Sequence, residues 1–225
     1  MNTNTFYNRL SEKISDLILA VIALGLLVVS VKYVQFLTDH PSTIRDPEFW
    51  KRIVLTALVT VFTAYKFVAY SAYFCNPDNG ARLAGLSPRR IVALFLLDLV
   101  EVTLVAWLYA ILLIGHLTSL GGREAATSVE LGATMLPFLF LFLALWHLTV
   151  LVWYWVARGG YRDMLIHVTF ALAYLAMMTL LLAADTVRYK ELFDWAAIAF
   201  FAGCVALLYW VKGIPDIRNA LEKPA

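Results

Sequence analysis

The chain reads as an all-α, polytopic integral membrane protein, a bundle of about six transmembrane helices with both termini on the cytoplasmic side. Three observations predict this. Hydrophobic residues fill 62% of the 225 positions and charged residues only 15%, a balance that places lipid rather than water around the fold. Six separate apolar windows are each long enough to cross the ~30 Å hydrocarbon core of a bilayer. Polarity nowhere alternates residue by residue over a strand-length run, so the spans are helices, which satisfy their own backbone groups in lipid.

Residues 1–16 precede the first window. Between Phe6 and Ile14 apolar residues mix with Arg9, Glu12 and Lys13, a pattern that suits a short helix on the membrane surface or a frayed end. The first span, 17–37, is too long for a signal-peptide core and is followed by no small-x-small cleavage site, so it is read as uncleaved. The remaining spans are expected at 53–74, 91–116, 131–156, 164–184 and 193–211, and 212–225 forms a short cytoplasmic tail. Pro137 predicts a kink in the long fourth span. Turn residues crowd 76–80, and the Gly159-Gly160 pair turns the chain between spans four and five. Gly80 and Gly85 have a phosphate-loop-like spacing, but the Lys-Ser/Thr ending is missing.

Orientation follows from the basic residues. With the N-terminus inside, ten Lys and Arg lie on the cytoplasmic side and six outside, the six being Arg45, Lys51, Arg52, Arg123, Arg188 and Lys190. A bacterial-type inner membrane is the expected location. Every connection is short, about sixteen residues at most, which leaves no room for a soluble domain. The net charge of +2 contains no block of like charges, so nothing points to nucleic acid. Cys75 and Cys204 have neither metal nor disulfide spacing and read as free thiols. Trp50, Trp153, Trp155, Trp195 and Trp210 fall near the span ends, where an anchoring belt belongs, whereas Trp107 and Trp146 lie deeper.

The third span carries Asp98 and Glu101 well inside its apolar run. A charge in hydrocarbon costs from ~3 to over ~10 kcal/mol, so such a pair must be partnered, hydrated in a cavity, or neutral. Counting 1.5 Å per residue from the inner helix ends puts Asp98 at ~12 Å, Glu101 at ~16 Å, Lys66 at ~13 Å, His147 at ~16 Å and His167 at ~7 Å. Five ionisable groups from four spans thus share the cytoplasmic half. Helical phase agrees: Asp98 shares a stripe with Val105 and Tyr109, and Lys66 with Thr63, Tyr70 and Tyr73. His147 stands two turns from Tyr154, and His167 two turns from Tyr174.

Two acids a turn apart require a cation between them, and Lys66, a protonated histidine or a transported ion each qualifies. The plain alternatives are a Lys66 that extends to the interface, histidines that only pack, and an Asp163 that caps span five beside Arg162. Metal chemistry has little support, because no Glu-x-x-His occurs; Asp163 with His167 makes half of a site, and facing histidines (His147 with His167 or His116) are the sole haem arrangement. No cofactor is expected, and no Gly-x-Ser-x-Gly marks a nucleophile.

Lipid and a proton or cation are therefore the expected partners. The leading expectation is a small transporter or channel with an acidic site at Asp98 and Glu101, relayed or gated by His147 and His167 and balanced by Lys66. A non-catalytic subunit or homo-oligomerising module of a membrane complex is the alternative, with the same groups as interhelical glue. A lipid-processing enzyme comes third, its headgroup held by an inner rim of Arg82, Arg89, Arg90, Arg158 and Arg162 that positive-inside orientation already explains.

Overall fold

The computed structural model describes residues 3–39, 41–75, 83, 85–117, 135–183 and 186–222. Among these every regular element is helical: α1 (Thr3–Asp39), α2 (Pro47–Cys75), α3 (Pro88–Leu117), α4 (Met135–Val156), α5 (Tyr161–Ala183) and α6 (Thr186–Leu208). A π-helical segment (Tyr209–Gly213) then leads into α7 (Ile214–Glu222), and a 3-10 turn (Pro41–Arg45) joins α1 to α2. Six helices are long and apolar enough to cross a membrane, which makes this a multi-pass membrane protein.

The helix ends follow from local chemistry. Asp46 caps α2 by accepting the Glu48 N–H at 2.9 Å, and Pro47 occupies the first helical position, where its missing N–H costs nothing. Helix α2 therefore starts six residues before the expected 53, because Lys51 and Arg52, read from sequence as loop charges, lie inside it and are buried. The segment expected as a separate surface helix is the opening of α1, which runs unbroken from Thr3. Pro137 lies two residues into the described part of α4, and residues 131–134, where the span was expected to begin, lie outside the described residues. The expected turn at 76–80 and the charges Arg123, Glu124 and Glu130 lie outside the described residues.

Helix α4 ends in a six-to-one hydrogen bond from Gly159 N–H to Tyr154 O (2.7 Å) and a five-to-two bond from Arg158 N–H to Trp155 O (3.3 Å). The left-handed residue of this cap is Arg158, at φ 56°, rather than either glycine. Gly159 is required for another reason: a Cβ there would lie 2.5 Å from the Tyr154 ring.

The π segment has an evident cause. Pro215 supplies no N–H to Val211 O, and its ring crowds that carbonyl, so the helix widens just before it and Ile214 N–H bonds back to Tyr209 O instead. The wider turn directs Lys212 into the bundle, where it is buried.

Helices α4 and α5 form the most extensive pair, α3 packs on α4, and α1 lies against both α2 and α3. Helix α2 also borders α6, the π segment and α7. Gly25 lets α1 approach α3 closely: a Cβ at that position would stand 2.5 Å from Tyr109 Cγ. Of the expected belt, Trp50, Trp155, Trp195 and Trp210 face outward, but Trp153 is buried, with its ring 4.9 Å from that of Tyr73.

Candidate functional site

Helix α3 presents Asp98 and Glu101 one turn apart, both only 1% exposed. From α2, Lys66 reaches across and its ammonium closes directly on the Glu101 carboxylate. Lys66 is thus turned inward, not extended to the interface. Two ring faces hold its Nζ in place, with centroids at 5.0 Å for Tyr70 and 5.9 Å for Trp146. Tyr70 also donates its hydroxyl to Asp98 Oδ2 at 3.2 Å, and the Trp153 indole stands beside that acid.

Helices α4 and α5 contribute the histidines. Their Nδ1 atoms lie 2.9 Å apart, a hydrogen bond in which one ring donates and the other accepts. The tyrosines expected beside them are exchanged: Tyr154 of α4 stacks on His167 at 5.5 Å, and Tyr174 of α5 on His147 at 5.5 Å. Antiparallel pairing of the two helices produces this exchange, since each histidine then sits between the histidine and the tyrosine of the other helix.

A cavity of ~40 Å³ connects these groups, with Lys66, Glu101, Trp146 and His167 at one part of its wall and Tyr65, Tyr154 and Lys212 at another. Asp98 and His147 are packed behind that wall. Glu101 Oε1, Trp146 Nε1, His167 Nε2 and Tyr65 Oη have no hydrogen-bond partner among the described residues, and all four residues line the cavity. These buried polar atoms border space for roughly three waters, at ~10–15 Å³ each.

Lys212 occupies the same pocket from the helix-terminal end. Its Nζ bonds Asp163 Oδ1 at 2.6 Å, pairs with Asp216 Oδ2 at 3.3 Å and lies 5.1 Å from the centre of the Tyr154 ring. Asp163 stands in the first turn of α5, where the helix dipole favours an acid, and ties α5 to the π segment. The half metal site it would have formed with His167 is instead an ion pair to Lys212. Among the described residues no three or more His, Cys, Asp or Glu converge on a metal position.

Sequence reading missed Lys212 and Tyr65, because a lysine near a helix end reads as an interfacial charge. It also missed a second buried ionic group near the opposite end of α2. Lys51 Nζ binds Glu48 Oε1 at 2.5 Å and Asp194 Oδ2 at 3.2 Å, joining α2 to α6, with Arg52 buried alongside. The signal was available: Arg52, Thr56, Thr60, Thr63 and Lys66 recur at helical spacing along one stripe of α2.

In this site two carboxylates share one ammonium. With all three ionised the cluster carries one surplus negative charge inside an apolar bundle, and a bound proton removes it. No family model, curated protein or solved structure matches the chain.

Proposed function

We propose that the chain is a small proton-handling transporter or channel in which Glu101 and Asp98 hold the mobile proton and Lys66 is the built-in counter-charge. The observation that carries this is the Lys66–Glu101 ion pair set beside Asp98 at a cavity large enough for water. It favours a proton over a metal or alkali cation, since the place between the acids is taken by the protein's own ammonium. A proton entering from the cavity neutralises Glu101 and frees Lys66 to turn toward Asp98, whose field it already feels. The return swing expels the proton. The linked histidines, one of which lines the cavity, pass protons in the same pocket without carrying charge at rest.

A bacterial-type inner membrane with both termini in the cytoplasm suits this activity. Excluding the buried Lys51, Arg52 and Lys212 from the loop count leaves nine basic residues against four, a larger cytoplasmic excess than the raw sequence gives.

The test is proton flux into liposomes that contain the purified protein and an internal pH-sensitive dye. Wild type should acidify the lumen under an imposed gradient, and Glu101→Gln with Asp98→Asn should not. Equal flux from both, with folding intact, removes the acid pair from the pathway.

A further inference from the structure

The threonines with described side chains in the spans fall into two sets. Thr103, Thr149, Thr169 and Thr179 face outward, and for each the recorded hydrogen bond goes to the carbonyl four residues back in its own helix. That is the ordinary way to satisfy a hydroxyl in lipid. Thr56, Thr60 and Thr63 make the same backbone bonds, to Arg52 O, Thr56 O and Val59 O, and each also meets a tyrosine hydroxyl from a neighbouring helix. Thr63 Oγ1 lies 3.0 Å from Tyr109 Oη, which donates to Thr60 Oγ1 at 3.3 Å. Thr56 Oγ1 lies 3.0 Å from Tyr33 Oη, which also reaches Arg52 O at 3.4 Å.

These hydroxyls sit between the two buried ionic groups. Lys66 is one turn from Thr63, and Arg52, next to Lys51, is one turn beyond Thr56, so the fourteen-residue rise from Arg52 to Lys66 carries the stripe over ~21 Å, most of a ~30 Å hydrocarbon core. Apolar packing would serve the α1–α2–α3 seam at less desolvation cost, and a lipid-facing threonine needs no tyrosine.

We infer that this hydroxyl row is the second half of a transmembrane proton path, joining the Lys66–Glu101 site to the Lys51–Asp194–Glu48 cluster at the far end of α2. The inference rests on the proton-handling reading above and adds the route and its far terminus. Each hydroxyl takes a proton on an oxygen lone pair and releases its own to the next, so every side chain ends with its original proton count. Net transfer is one proton, taken up from the far side by the Asp194 or Glu48 carboxylate and delivered to the Glu101 carboxylate, so the far-side group returns to its ionised form. Three breaks remain, from the Lys51 cluster to Tyr33 and Thr56, from Thr56 to Thr60, and from Thr63 to Glu101, and a bridging water closes each.

The experiment compares proton flux in liposomes for wild type, Glu101→Gln, Tyr109→Phe, Tyr33→Phe and Thr63→Val, with Thr63→Ser as rescue and flux repeated in heavy water. Each hydroxyl deletion keeps side-chain shape, and thermal melting reports whether the fold survives. The expected result is at least a tenfold loss of flux in Tyr109→Phe and Thr63→Val, recovery in Thr63→Ser, and a solvent isotope effect in wild type. Flux lost in Glu101→Gln but kept in all hydroxyl variants overturns the path and leaves the acid site standing. Absence of wild-type flux overturns both. If a tyrosine variant unfolds, Thr63→Val against Thr63→Ser decides alone.

Discussion

Nδ1 of His147 and Nδ1 of His167 face each other across 2.9 Å, and neither Nε2 has a hydrogen-bond partner among the described residues. Both rings cannot be charged at that distance, and two neutral rings can bond only as opposite tautomers, one carrying its proton on Nδ1 and the other on Nε2. Nitrogen-15 NMR of histidine-labelled protein should show one ring of each tautomer at neutral pH, and His147→Phe should release His167 from its assigned form. Two identical tautomers in wild type would contradict the geometry.

The Lys66–Glu101 pair should behave as a buried ion pair does. Removing one partner leaves an uncompensated charge, so Lys66→Met should cost about 3–5 kcal/mol, whereas Lys66→Met with Glu101→Leu should recover most of that. Unfolding of the purified protein in detergent supplies the comparison. A double variant as unstable as the single one would place the effect elsewhere.

Gly25 permits the α1–α3 approach that holds Tyr109 against Thr63 and Thr60. Gly25→Ala should cost about 1–3 kcal/mol through overpacking against the Tyr109 ring. Because Tyr109 must shift, proton flux should fall with it. Wild-type stability in Gly25→Ala would mean that the ring moves freely.

The turn after α4 separates two effects that are easily confused. Arg158 bears the left-handed conformation, so Arg158→Gly should stabilise by roughly 1 kcal/mol. Gly159→Ala should destabilise by about 1–3 kcal/mol, because its Cβ enters the Tyr154 ring. Thermal melts of the two variants should move in opposite directions.

Pro215 forces the widened turn that buries Lys212. Pro215→Ala restores the missing N–H, allows ordinary helix through 209–213 and rotates Lys212 off the cavity, breaking its bond to Asp163. Labelling of Lys212 by a membrane-permeant amine reagent should increase severalfold. Unchanged labelling would show that the π segment is set by other contacts.

The spans were legible because lipid imposes a simple rule on composition, and a helix long enough to cross cannot hide its apolar run. The polar cluster was legible for a related reason: Asp98 and Glu101 stand out against hydrocarbon, and the fixed helical rise carries their depth to Lys66 and His147. What hydropathy could not separate was a buried charge near a span end from a loop charge. Lys51, Arg52 and Lys212 were assigned to loops on that ground, although each is buried, held by carboxylates or other polar neighbours in three dimensions. The histidine contact was only partly legible: both rings were placed in the site and named as a facing pair, but depth counting, at ~16 and ~7 Å, did not bring them level.

The exchanged stacks on α4 and α5 restrict how the molecule can move. A slip of one helix along the other by a single turn would part Tyr154 from His167, Tyr174 from His147 and the two Nδ1 atoms together. The pair is keyed like meshed teeth against such a slip. Across the cavity, α2 meets α4 through ring edges, Phe62 on Trp146 and Tyr73 on Trp153, and through the Lys66 ammonium over the Trp146 ring. A transport cycle of the kind proposed would therefore move α4 and α5 together, keeping their histidine contact closed.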